Sequence, residues 1–267
     1  PQKETTMGDQ EILDKLVAEK AEGGLTKQER REIRQEAKEL TDASVNLAYA
    51  RMAVSFVKQK VPLVANWDET LLSSAEGIWR TGEKGAKSRK DLEKAEADSK
   101  AAWDKADKCV YQDLRQNSEW ERINSQDGGV QSLQDIQILS DLADHHGCGN
   151  CGEMTAVTFM YLYNLDIRPL DFMTLKYPAD HAFVVIGRKG SDKDDNLGRN
   201  WGTNAVVCDP WASGLYFFRD WPWYNVAVYS DLRLGDSYAA YPATLLEQNM
   251  KAMHKSFSGV ILVHRAD

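Results

Sequence analysis

Three residues in the second half of the chain are of the types that perform thiol-based nucleophilic catalysis: Cys151, His181 and Asp209. A cysteine becomes a strong nucleophile when a base removes its proton, and the base works best when a third group holds it in one orientation. Each residue alone is common in proteins without such chemistry. Their significance depends on the elements that carry them.

The segment from Gly147 to Glu153 predicts a tight turn followed by a helix that begins at Cys151. Asn150 and Glu153 have the spacing of a helix N-cap and its reciprocal acid. The next residues, Met154 to Tyr163, are almost entirely apolar, which is typical of a buried central helix. We therefore expect Cys151 in a first helical turn, where unpaired N–H groups and the helix dipole favour a thiolate and could hold an oxyanion.

The other two residues lie at the ends of two β-type runs, His181 to Gly187 and Ala205 to Asp209. The polar segment from Arg188 to Thr203 is typical of a long hairpin loop. In an antiparallel pair the start of the first strand faces the end of the second. Pairing Gly187 with Thr203 would place His181 opposite Asp209, within reach of an imidazole–carboxylate hydrogen bond.

Three other interpretations use the same residues. Cys148 and Cys151, with His145 and His146, could bind zinc, although no second Cys-x-x-Cys or His-x-x-x-His motif completes a ligand set. A redox-active Cys-x-x-Cys pair would need a preceding parallel strand, whereas the upstream sequence predicts a helix. The residues could also belong to a non-catalytic fold that keeps them for packing.

The chain has two parts of different composition. From Glu11 to about Ile138 the pattern favours helices, and Pro62 ends the second of them at Lys60. Beyond Gly128 and Gly129, short strands alternate with turns. The remaining predicted elements are helices at Thr26–Lys60, Asp68–Arg80, Ser88–Gln116 and Ala243–His254, and strands at Leu170–Tyr177, Tyr224–Tyr229 and Gly259–His264. The sequence thus predicts an α+β fold, with a helical N-terminal region over 1–125 and a second domain over 126–267.

The amino-acid composition argues against several classes of protein. The chain has 267 residues, of which 42% are hydrophobic, so it can bury a large core. Its net charge of −8 argues against a general nucleic-acid binder, and it contains no apolar run long enough to span a membrane. Four cysteines in a chain of this length predict free thiols and a reducing, cytosolic compartment. No cofactor is predicted.

Three segments resemble the transglutaminase-like branch of the papain-like cysteine enzymes: Gly149 to Ala156, Asp180 to Phe183 and Val207 to Trp211. The resemblance implies a papain-like core in which a central helix packs on an antiparallel sheet. It also implies Cys151 as the nucleophile, His181 as general base and acid, and Asp209 as the orienting residue. The paired Cys-x-x-Cys zinc motifs of the N-glycanase branch are absent from this sequence.

A compact catalytic domain behind a helical region most resembles the bacterial effector type. That resemblance implies a protein substrate in a host cell, reached by secretion without a classical signal peptide. The expected reaction is acyl transfer, with glutamine deamidation or transglutamination favoured. A papain-like protease and a non-catalytic binding module with a helical recruitment region are the alternatives. Further candidates are Gln131, Gln134 and Gln137 for an oxyanion hole, and Trp201 and Trp211 for the walls of a cleft.

Overall fold

The computed structural model describes residues 15, 42–64, 101, 104–126, 129–176, 180–190, 201–211, 239–247 and 260–267. The predicted helix Asp68–Arg80 and the predicted strand Tyr224–Tyr229 lie outside these residues. The helices are α1 (Asp42–Lys60), α2 (Ser118–Asn124), α3 (Leu133–His146) and α4 (Cys151–Asn164), with a π-helical segment at Lys108–Leu114 and a 3-10 turn at Ala243–Leu245. None of the helices within the described residues is long and apolar enough to cross a membrane.

The strands are β1 (Leu63–Val64), β2 (Cys148–Gly149), β3 (Leu170–Leu175), β4 (Ala182–Ile186), β5 (Val206–Cys208), β6 (Ala240–Pro242) and β7 (Val260–Ala266). The last five form one sheet in the order β6-β5-β4-β3-β7, and all neighbouring strands are antiparallel. Strands β1 and β2 form a separate parallel pair. The predicted α+β fold with an antiparallel sheet is therefore confirmed.

Strand β4 is buried on both faces, which explains its uninterrupted apolar sequence. Ala182 and Val184 point into the core that the helices share, whereas Phe183 and Val185 pack on the opposite face with Trp201. Each such side chain contributes about 1.5–3 kcal/mol when it leaves water. Since both faces are covered, β4 holds the residues at its ends in place.

Helix α4 begins at Cys151 and ends at Asn164, as the sequence predicts, and it packs on β3 and β4. Its reciprocal capping box between Asn150 and Glu153 is present. Phe159 and Leu162 are fully buried at its centre. The prediction of a buried helix is confirmed, and its N-terminal residue Cys151 interacts with His181, which directly precedes β4.

Helix α1 ends at Lys60, two residues before Pro62, as predicted. The three-and-four spacing of apolar residues predicts a buried stripe on this helix through Val45, Ala48, Tyr49, Met52, Ala53 and Phe56. Of these, Tyr49 and Ala53 are buried and the other four are half-buried. Ala50, Val54 and Val57, which the predicted stripe did not include, are also buried. The helix packs on α4, β5 and β6 and shares their core. At least this helix of the N-terminal region thus stabilises the sheet directly, while the division near residue 126 stays a prediction.

Candidate active site

Cys151 is the first residue of α4, and its side chain is a free thiol in a residue that is 8% exposed. The Glu153 carboxylate closes the turn by accepting the backbone N–H of Asn150 at 2.9 Å. The backbone N–H groups of a first helical turn have no partner within the helix, so they attract negative charge. The local sequence alone accounts for this arrangement.

The loop before Cys151 is fixed from two directions. Strand β2 pairs with β1, with Cys148 opposite Leu63, and the Leu63 N–H donates to the Gly147 carbonyl at 3.2 Å. A Cβ atom at Gly149 would lie 2.8 Å from the Cβ of Glu153, so only glycine allows this close approach. The loop that leads to Cys151 is thus constrained rather than mobile.

His181 and Asp209 meet at the ends of β4 and β5. The His181 Nε2 atom lies 2.6 Å from the Asp209 Oδ2 atom, and both side chains are buried. The Asp209 N–H donates to the Ala239 carbonyl, which anchors this end of the sheet. The predicted imidazole–carboxylate contact is present in the structure.

The strand register that produces this contact differs from the predicted one. Val184 pairs with Cys208 and Ile186 with Val206, so the ladder is shifted by two residues from the pairing of Gly187 with Thr203. Asp209 is therefore displaced along the strand from His181 rather than directly opposite. Because side chains alternate with a period of two, a shift of two keeps both on one face of the sheet.

His181 also interacts with Cys151, and its pKa reflects both partners. Burial of the imidazole acts to lower its pKa, but the charge of Asp209, the hydrogen bond to it, and a hydrogen bond and charge interaction with Cys151 together raise it from 6.5 to about 10. Since Nε2 is taken by Asp209, Nδ1 is the nitrogen left for the thiol. The arrangement favours a protonated His181 that lies beside Asp209 and Cys151.

The two candidate cleft tryptophans have different positions. The Trp211 ring lies 5.1 Å from the His181 ring and also packs against the cluster that contains Cys148 and Met154. Trp201 is fully buried in the core on the Phe183 face of the sheet. Trp211 therefore covers the histidine, while Trp201 is explained by core packing.

The glutamines proposed for an oxyanion hole are not at this site. Gln131 and Gln134 line a shallow pocket at the N-terminal end of α3, and Gln137 donates to Asp141 on the exposed side of that helix. Cys151 follows the opposite end of α3, and a helix of fourteen residues is about 20 Å long.

The expectation of four free thiols is wrong for two of them. Cys109 and Cys148 form a disulfide, whereas Cys151 and Cys208 are free and buried. The spacing of Cys109 and Cys148 in the sequence does not predict this pairing. Because Cys148 is bonded to Cys109, its sulfur is not available as a zinc ligand or as the redox partner of Cys151. Among the described residues, no cluster of three or more His, Cys, Asp and Glu is arranged to hold a metal ion.

Two residues near the site were not identified from sequence. Arg115 Nε lies 3.2 Å from Glu153 Oε1, and the Trp120 Nε1–H donates to the same oxygen at 2.9 Å. Both precede Glu153 by more than thirty residues and belong to no recognisable motif. Only tertiary packing brings them to the nucleophile helix.

Comparison of the chain with protein-family models, with curated proteins and with solved structures found no match.

Proposed function

We propose that this protein is a cysteine-nucleophile acyl-transfer enzyme that acts on protein substrates, with glutamine deamidation or transglutamination as its reaction. Cys151 is the nucleophile, His181 the general acid and base, and Asp209 the residue that orients the histidine. The observation that carries the proposal is the buried His181–Asp209 hydrogen bond of 2.6 Å beside a free thiol at a helix N-terminus.

The first half-reaction begins with the thiolate–imidazolium pair. The Cys151 sulfur attacks the carboxamide carbon, and the oxygen becomes an oxyanion that the N–H groups of the first α4 turn stabilise. His181 then gives its proton to the departing nitrogen, and ammonia leaves. The product is a thioester between Cys151 and the substrate, and His181 is neutral.

The second half-reaction breaks the carbon–sulfur bond of the thioester and regenerates the thiolate–imidazolium pair. Neutral His181 accepts a proton from water or from a substrate amine as that group attacks the thioester carbon. Water yields a carboxylic acid, which is deamidation, while a lysine amine yields an isopeptide crosslink. Asp209 stabilises the imidazolium whenever it forms.

The burial of the histidine supports the proposed carboxamide chemistry. His181 is 2% exposed, and Trp211 packs against its ring, so the histidine is shielded from bulk water. Exclusion of water strengthens the charge interactions in the transition state. A papain-like core, a bacterial effector origin and a host-protein substrate are parts of the same proposal, supported by the sequence resemblance. The expectation of a reducing cytosol depended on four free thiols, and the Cys109–Cys148 disulfide removes that support.

Mass spectrometry of a host cell lysate treated with the protein tests the proposal. We expect glutamine peptides with the mass gain of amide-to-acid conversion, or joined peptides that have lost ammonia, with wild type but not with Cys151→Ala. Cys208→Ala is the matched control, since it removes the other free thiol, which is buried in β5. New peptide termini would indicate a protease instead. Identical lysates with wild type and Cys151→Ala would indicate a binding module.

A further inference from the structure

Glu153 is a capping acid that is almost completely buried, because only 3% of the residue is exposed. Its carboxylate accepts three donors: the Asn150 N–H at 2.9 Å, the Trp120 indole at 2.9 Å and the Arg115 guanidinium at 3.2 Å. A buried carboxylate with this many partners is held in a single position.

The position of this carboxylate affects Cys151 electrostatically. Glu153 lies two residues after the nucleophile in the same helical turn, so its negative charge opposes formation of a thiolate. The Arg115 charge lies directly on the carboxylate and offsets it. Arg115 is itself fixed, because its guanidinium stacks over Tyr111 at 4.8 Å and over Trp120 at 4.9 Å.

The segment that carries Arg115 contacts the nucleophile loop at two more places. Cys109 is bonded to Cys148, and the Asn150 side chain donates to the Tyr111 hydroxyl at 3.3 Å. The segment from Cys109 to Arg115 thus contacts Cys148, Asn150 and, through Arg115, Glu153. These positions lie on both sides of Cys151. Together these contacts determine where the first turn of α4 points.

We propose that Arg115 and Glu153 are positioning residues for Cys151: Glu153 fixes the first turn of α4, and Arg115 holds Glu153 and cancels its charge beside the thiolate. This inference rests on the proposed role of Cys151 as the nucleophile. Both residues act through the turn that carries Cys151. Among the residues that the structure describes, the charged groups that interact with this turn or with Cys151 include Glu153, which is paired with Arg115, and His181, which is paired with Asp209.

The experiment measures alkylation of Cys151 by iodoacetamide against pH, with peptide-level mass spectrometry to separate Cys151 from Cys208. We expect Arg115→Met to raise the pH of half-maximal alkylation by about one unit and to lower the alkylation rate about tenfold at pH values below both midpoints, because an uncompensated carboxylate then opposes the thiolate. Arg115→Lys should recover much of the loss.

The decisive variant is the double change Arg115→Met with Glu153→Gln. It removes both charges, so the pH of half-maximal alkylation should return toward that of wild type, although the turn is less well held. If Arg115 had only a structural role, the pH of half-maximal alkylation in the double variant would be raised as much as in Arg115→Met, or more. That result would overturn the proposal.

The chain offers a matched control at another capped helix. Arg122 Nη2 lies 3.1 Å from Asp135, the capping acid of α3, in the same relation as Arg115 to Glu153 but near the opposite end of α3 from Cys151. Arg122→Met should leave the Cys151 profile unchanged, and an equal shift in both variants would contradict the inference. If wild-type Cys151 reacts no faster than an ordinary thiol, the proposed function fails. The shift between variants can still be measured and decides the positioning role separately.

Discussion

The His181 Nε2 atom lies 2.6 Å from the Asp209 carboxylate although the two residues are not opposite each other in the β4–β5 ladder. The ladder ends at the pair Val184 and Cys208, so both side chains extend beyond it on the same face. Their contact is therefore diagonal, and it depends on the ends of both strands being held. Trp211 and the hydrogen bond from Asp209 to Ala239 provide that support.

Replacement of the orienting residue Asp209 should lower the rate of catalysis in molecules that are still folded. We expect Asp209→Asn to lower the rate of acyl transfer by about 10²- to 10⁴-fold, because the imidazolium loses its charge partner and its fixed orientation. Single-turnover kinetics on a glutamine peptide identified from the lysate experiment would measure this loss.

Asp171 is the matched control for this change, because it is also fully buried and bonded to a basic group, with Arg188 Nε at 2.6 Å. Asp171→Asn should lower stability while the folded fraction keeps its activity. Comparable rate losses per folded molecule in both variants would argue against a special role for Asp209.

The raised pKa of His181 also predicts how stability depends on pH. The folded-state pKa of about 10 lies above the value of 6.5 for an unperturbed histidine, so the folded protein binds the proton more tightly. The resulting stabilisation is fully present below pH 6.5 and is lost as pH rises toward 10. We expect the difference in free energy of unfolding between wild type and Asp209→Asn to shrink across this window. Urea titrations at several pH values would measure it, and a constant difference would contradict the assigned charge state.

The disulfide should contribute strongly to stability. It joins residues separated by 39 positions, and closing a loop of that size in the unfolded chain stabilises a folded protein by about 2–4 kcal/mol. We expect Cys109→Ala with Cys148→Ala to lower the free energy of unfolding by that amount. Wild type treated with a dithiol reductant should fall to the same value, and an unchanged value after full reduction would show that the bond adds little.

Two glycines beside the nucleophile should respond oppositely to alanine. Gly149→Ala places a Cβ 2.8 Å from the Cβ of Glu153, and this overpacking should cost about 1–3 kcal/mol. A Cβ at Gly152 meets no heavy atom of the described residues within 4 Å. Gly152→Ala should therefore raise stability by up to about 1 kcal/mol, as expected inside a helix.

The same pair tests where the substrate lies. If the open space beside Gly152 admits the substrate carbonyl, Gly152→Ala should raise KM for a glutamine peptide despite the added stability. Thermal unfolding with steady-state kinetics on both variants measures the two effects, and an unchanged KM would place the substrate elsewhere.

The sequence alone determined the elements that depend on local interactions. The capping spacing of Asn150 and Glu153 and the apolar run behind them predicted a buried helix that begins at Cys151, and the structure has it there. Alternation along the strands predicted that His181 and Asp209 share a face. These features could be predicted because hydrogen bonds and side-chain periodicity over a few residues decide them.

Tertiary structure decided what depends on distant parts of the chain. The β4–β5 register moved by two residues because the backbone turns near Gly187 and Ala205, where hydrogen bonds from Lys189 to Trp201 and from Ala205 to Gly202 replace the regular ladder. The Cys109–Cys148 bond and the Arg115–Glu153 pair join segments more than thirty residues apart. Such contacts form only when packing of the whole core brings their segments together, so no local pattern in the sequence encodes them.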